Sequence, residues 1–276
     1  MRGTLVLARL RRHPAALAGF VTLTVLFVLA FAGPCAARWD WNQIDFTAFR
    51  RPPSAQHWFG TTATGRDVYA LTLRGMQKSL VIGLLVAVLS TGLAALVGAF
   101  AGYLGGWPDR LLMWGVDLLL VLPSFLLVAV LSPSLRGTSW VLLVLLLAAF
   151  MWMVTARVVR GLTLSLREQE YVLAARFVGV STPRIIFRHI LPNLAALLII
   201  DATLNVSLAI ITESGLSYFG FGVQPPDSSL GTVIADGAGA ATTYPWLFAP
   251  AAALLVLTVL AVNLAGDGLR DALEAQ

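Results

Sequence analysis

Six apolar runs, each near the length a helix needs to cross a bilayer, leave this chain few folds to choose from. They occupy residues 15–33, 79–103, 111–131, 139–157, 193–213 and 246–265. At 1.5 Å of rise per residue, about 20 residues cover the roughly 30 Å of hydrocarbon in a bilayer. No period-two alternation runs through them, and lipid offers no hydrogen-bond partners, so each backbone must satisfy itself and helices are favoured over a barrel. Charged residues make up 12% of the chain, against about 25% in soluble proteins. The expectation is an all-α membrane protein with six transmembrane helices.

Basic residues in short flanking segments resist transfer across the membrane, which sets the orientation. Arg2, Arg9, Arg11 and Arg12 precede the first run. With the N-terminus inside, six crossings also put Arg110, Arg157, Arg160, Arg167, Arg176, Arg184, Arg188 and Arg270 inside, against Arg136 in an outer loop. Both termini are therefore expected in the cytoplasm. The first run ends in Ala30, Phe31 and Ala32, a small-residue pattern like that of a cleaved signal. It is longer than the roughly 7–15 apolar residues of a signal core, so an uncleaved anchor is expected. Cys35 is the lone cysteine, which excludes an intramolecular disulfide and a cysteine-cluster metal site. The net charge of +5 fits basic edges at lipid headgroups and gives no case for nucleic acid.

The chain divides into residues 1–78, an anchor helix plus an outer segment, and residues 79–276, the transmembrane domain. The outer segment carries Trp39, Trp41 and Trp58, suited to headgroup depth or to touching a delivered substrate or its carrier. Gly98 and Gly102, followed by Gly106, give the second run a small-residue face that lets another backbone approach. Asp117 and Asp201, with Asn205 one turn beyond, are ionisable or polar groups inside spans. Such groups face protein or water, so each either lines a polar pathway or fixes helix packing as a hydrogen-bond partner. Glu213 lies closer to an interface and is expected to be solvated.

The segment 158–192 between the fourth and fifth runs holds the most specific pattern. Residues 165–177 are expected to form a short helix that Gly179 stops by adopting positive φ. Ser181 or Thr182 caps a second helix, Pro183 fits its first turn, Ile185, Ile186 and Ile190 form an apolar stripe, and Pro192 opens the fifth span. Ala174 and Ala175 offer a low-profile face for a groove, and Arg176, Arg184 and Arg188 offer charge to a partner or to lipid phosphate. A helix simply lying on lipid is the alternative.

From Tyr171 through Ala174, Ala175 and Gly179 to Pro192, the chain resembles the EAA loop of ABC-importer permeases. The stretches His57 to Thr61, Gly65 to Val68, Asp117 to Pro123, and Glu213 through Gly222 to Pro226 are similar to the C-type dipeptide, oligopeptide and nickel permeases. The resemblance implies a type I ABC-importer permease fold. It also implies a second related permease, one or two cytoplasmic ATPases that bind ATP and Mg and seat on these loops, and an extracytoplasmic peptide-binding protein. On it, Tyr171, Ala174, Ala175, Arg176 and Gly179 couple to the ATPase, and Asp117, Asp201 and Asn205 line the substrate pathway. One departure stands out: Leu173 sits where the family carries glutamate, and Glu170, three residues earlier, is placed to substitute in part.

No G-x-x-x-x-G-K-[ST] phosphate loop is present, so ATP hydrolysis is assigned to partners, and no cofactor is expected on this chain. The rival is an ion-coupled secondary carrier or channel using Asp117 and Asp201. The two halves show no inverted repeat, and that scheme has no use for the surface loop. Dipeptides, longer peptides, nickel chelates and haem all remain open as cargo.

Overall fold

The structure, a computed structural model, describes residues 13–132 and 139–274; Arg2, Arg9, Arg11, Arg12 and Arg136 lie outside the described residues. Among the described residues eleven α-helices account for the architecture, and the only β-pairing is two isolated bridges, Ile44 with Arg66 and Thr61 with Asp67. Helix α1, Pro14–Ala36, begins on a proline whose missing N–H costs nothing in the first turn. It buries Ala16, Gly19, Leu26 and Ala30 along one stripe.

Helix α2, Val68–Leu104, runs for 37 residues, about 55 Å, and so extends beyond the hydrocarbon. Asp67 caps it by accepting from the Ala70 amide at 2.8 Å. Its start lies eleven residues before the run at 79, so the 78/79 division falls inside a helix and Lys78 is a helix residue. The 78/79 division leaves Lys78 in the outer segment because its charge interrupts the apolar run. In the fold its Nζ meets Asp227 at 2.9 Å and sits 4.5 Å from the Trp140 ring centroid.

The third and fourth runs are not straight spans. Helices α3, Gly106–Val121, and α4, Ser124–Leu131, meet at a 75° bend. Pro123 disfavours helical geometry at Leu122, which is extended at φ −80 and ψ 127. Helices α5, Trp140–Met151, and α6, Met153–Leu166, meet at 45°. There the Trp152 indole donates to the Ala149 carbonyl at 2.8 Å, taking the acceptor that the next helical amide would use. Among the described residues four helices are individually long and apolar enough to cross a membrane, and the count is up to six if each bent pair is one span.

Beyond α6 come α7, Glu170–Phe177, and α8, Thr182–Ile185, which continues through a π-helical turn, Ile186–Ile190, and a 3-10 turn, Leu191–Asn193. Then follow α9, Ala195–Tyr218, α10, Leu230–Ala238, and α11, Ala249–Glu274. His13 reaches Asp271 at 3.2 Å, so the two terminal helices share an end. Leu273 lines one pocket with Leu166 and Asn193, which puts α7 and α8 at that same end. The segment 37–67 folds at the opposite end, where Arg50 lies over the Tyr244 ring. There Trp39 stacks on His57 and Trp58 meets Tyr69 edge-on, so these indoles are packed and not only interface anchors.

Helix α2 is the post around which the others gather, touching α1, α5, α6, α9 and α10. A methyl group on Gly98 would lie 2.5 Å from the Ala156 carbonyl oxygen, and one on Gly102 would lie 2.7 Å from that of Arg160. Both glycines thus serve packing within the chain against α6. Gly106 does not share their face, since α2 has already ended at Gly105. Replacing Gly98 with leucine should cost ~1–3 kcal/mol by overpacking, visible as a lower midpoint in detergent thermal unfolding. Gly92→Leu, where added atoms meet nothing within 4 Å, should leave the midpoint near wild type.

Candidate functional site

The hairpin of α7 and α8 is locally encoded and firmly seated. Helix α7 carries Glu170 in its first turn and Arg176 in its last, each matching the helix dipole. The Val180 amide donates to Ala175 O at 3.1 Å and the Gly179 amide to Arg176 O at 3.0 Å. These two bonds, with Gly179 at φ +80, form a Schellman stop. Val172, Ile185, Ile186 and Ile190 are buried with Ala99 of α2, Val159 of α6 and Leu194. The expected isoleucine stripe is therefore the hairpin's anchor to the spans.

What the hairpin presents differs in part from the sequence reading. Tyr171, Ala174, Arg176 and Gly179 are exposed, whereas Ala175 packs half-buried against the anchoring core. The two alanines do not share a face, because successive helical residues turn by 100°. Leu173, in the family's glutamate position, is half-buried, while Glu170 is exposed. Two apolar side chains not singled out from sequence dominate the tip: Phe177 is 89% exposed and Val178 85%. The legible signal was a pair of large apolar residues directly before a glycine stop on a basic surface helix.

The intramembrane polar residues fall into two kinds. Asp201 Oδ1 accepts from Thr155 at 2.7 Å, and its Oδ2 accepts from Thr91 at 2.7 Å and from Asn205 Nδ2 at 2.9 Å. This ties α2, α6 and α9 together, and it is the packing alternative of the two that the sequence left open. Glu213 is fully buried, which corrects the expectation of a solvated side chain. Its carboxylate accepts from Ser217 at 2.6 Å and from Ser79 at 3.4 Å, while Ser79 Oγ accepts the Leu230 amide at 3.1 Å. The junction joins α2, α9 and the start of α10; Ser217 is one turn along α9 from Glu213, whereas Ser79 and Leu230 are brought in by the fold.

Asp117 is of the other kind. It pairs with Arg157 in α6, and both side chains are more than half exposed. Arg157, the last residue of the fourth apolar run, sits in the first half of α6. Within a span, charged side chains face protein or water in preference to lipid. At the opposite end of the molecule, His57 is bracketed by Asp67 at 2.8 Å and Asp45 at 3.3 Å. Hydrogen bonds from the Thr47 side chain and amide hold the Asp45 carboxyl below the usual carboxylate range, with His57 adding to the shift. Among the described residues no cluster of three or more His, Cys, Asp or Glu side chains is placed to hold a metal ion.

Bent spans around a central long helix, with a helical hairpin anchored at one end, define a multi-span α-helical membrane protein of the transport class. Residues 94–276 match the family described as binding-protein-dependent transport system inner membrane component, and residues 3–53 match the N-terminal transmembrane domain of oligopeptide transport permease C. The chain belongs to the first of these families, in agreement with the EAA-loop resemblance. It is 56% identical over 274 residues, 99% of this chain and 94% of the relative, to the oligopeptide transport system permease protein OppC of Mycobacterium tuberculosis. It is 38% identical to the OppC protein of Bacillus subtilis over 96% of this chain and 87% of that one. A putative peptide permease protein of Brucella suis is 39% identical over 96% of this chain and 88% of the relative.

Gly179 provides a test of the hairpin. Nothing would crowd a side chain there, so a substitution acts through backbone strain alone. Gly179→Val should cost ~1–3 kcal/mol and raise amide hydrogen exchange across residues 174–180. Gly179→Asn, which tolerates the left-handed region, should change exchange far less.

Proposed function

We propose that this chain is a permease subunit of an ATP-driven, binding-protein-dependent importer that carries di- or oligopeptides across the bacterial inner membrane. The observation that carries the reading is identity to OppC proteins along nearly the full chain, joined to a surface hairpin that is rooted in the spans. The start of α1, the end of α11 and the hairpin share one end, and the arginine distribution favours the cytoplasm for that end. A second permease completes the pathway. Cytoplasmic ATPases, which bind ATP and Mg, seat on the hairpins of both permeases, and an extracytoplasmic binding protein delivers the peptide.

The geometry suggests how coupling works. Phe177 and Val178 offer an apolar tip to a groove in the ATPase, with Tyr171 and Ala174 flanking it and Arg176 adding charge. Ala175 and Gly179 act from behind, one packing α7 on its core and the other fixing its end. When ATP draws the ATPases together, the hairpin moves as one body with α9 because Ile185, Ile186 and Ile190 are fully buried. The two accessible states differ in which end of the pathway is open, and ATP and loaded binding protein bias them by differential affinity.

Phe177→Asp, or Ala174→Glu beside it, should remove the ATPases from the purified complex while the chain still inserts and retains its partner permease. Loss of a central aromatic anchor weakens docking by ~2 kcal/mol or more, about 30-fold. ATP-driven peptide uptake in proteoliposomes should fall accordingly. Normal co-purification of the ATPases with both variants would refute the docking surface, and ATP-independent uptake by the wild-type complex would refute the importer.

A further inference from the structure

Two arginine–aspartate pairs join α3 to α6, and they are built differently. Arg160 grips Asp109 with Nε and Nη2 at 2.5 and 2.6 Å, and that carboxylate is 9% exposed. Bidentate and covered, it is a staple near the inner end, where Arg167 also reaches the Gly102 carbonyl. Asp117 lies eight residues further along α3, about 12 Å along its axis, and its partner Arg157 lies three residues before Arg160 in α6. Its contact with Arg157 uses one guanidinium nitrogen, Nη2, and one carboxylate oxygen, Oδ1, and the side chains are 57% and 51% exposed. Around it the α3 surface is apolar and bare, with Trp114, Leu118 and Val121 all exposed. An open ion pair in such a setting must face a watered pathway or another protein, because hydrocarbon would leave its outer edges unsatisfied.

On the peptide-importer reading, on which this step rests, we infer that Asp117 and Arg157 form an exchange site for the termini of a peptide in transit: Asp117 takes the α-ammonium and Arg157 the α-carboxylate. The single contact leaves a second carboxylate oxygen and the other guanidinium nitrogens open to an incoming terminus before the internal contact is released. Each charge then trades one partner of opposite sign for another. No step strands an unpaired charge in low dielectric, where such a charge is most costly. The neighbouring Asp109–Arg160 pair lacks this capacity, since both oxygens are engaged and the carboxylate is covered. Asp201 lacks it too, as both its oxygens accept from side chains of its own fold.

The test uses the complete transporter with its partner subunits in proteoliposomes, comparing wild type, Asp117→Asn and Arg157→Gln. One peptide is supplied with free termini, N-acetylated or C-amidated, and uptake by each variant is divided by wild-type uptake of the same form, which cancels the binding protein's own preferences. Asp117→Asn should slow the free and amidated forms about tenfold, the equivalent of 1.4 kcal/mol, and the acetylated form less than about twofold. Arg157→Gln should slow the free and acetylated forms and spare the amidated one. Equal slowing of all three forms overturns the exchange site, as does no slowing at all. Loss of the second permease from the purified variants assigns the pair to the subunit interface and also overturns it. Should Asp117→Asn fail to assemble, Asp117→Glu keeps the charge and should retain the wild-type order among the three forms; a changed order refutes the proposal. A wild-type complex that moves no form with ATP sinks the importer reading itself, whereas terminus-independent slowing beside normal wild-type uptake sinks the exchange site alone.

Discussion

Backbone-to-backbone approach along α2 is the constraint on which the rest of the molecule depends. Lipid chains are as apolar as leucine, so burial alone does not hold spans together, and close van der Waals contact must. Glycines supply it at successive levels of one helix. Gly75 lies against the backbone at Ser229, Gly83 against Ile210, and Gly98 and Gly102 against carbonyls of α6. The three apolar clusters of the fold each draw on α2, through Ile82 and Val86, through Leu73 and Met76, and through Ala99. Any side chain added at those glycines would separate helices along much of the bilayer's depth.

Burial sorts the intramembrane carboxylates by task. Asp201 and Glu213 each accept from hydroxyl or amide donors on their own helix and on neighbouring ones, so their polarity is spent within the fold. Breaking such a network leaves partners unsatisfied, at ~1–3 kcal/mol for each group. Asp117 has no comparable enclosure; its cation partner is as exposed as it is. Two carboxylates of similar depth in sequence therefore differ in kind, and the difference is set by what neighbouring helices bring to them.

The spans and the hairpin were legible because their signals are local: apolar length for the first, and cap, proline, stripe and glycine stop for the second. The start of α2 was not, because Arg74, Gln77 and Lys78 interrupt the apolar run while their partners lie elsewhere. Lys78 finds Asp227 and the Trp140 ring, and Gln77 donates to the Ala30 carbonyl. The bend at Pro123 was within reach of the sequence, whereas that at Trp152 depends on an indole reaching back to Ala149. The fate of Glu213 rested on Ser217 one turn along its own helix and on Ser79 from α2. The division between Ala174 and Ala175 follows from helical geometry, which turns adjacent residues of one motif to different faces.

The π-helical turn at Ile186–Ile190 has a mechanical consequence. Widening the helix by about one residue per turn lets Ile185, Ile186 and Ile190 all point to the same interior, so the protruding segment is fastened there by three side chains. The stretch between the exposed tip and the foot of α9 is thus held by side chains that fill the same core as Ala99, Val159 and Leu194.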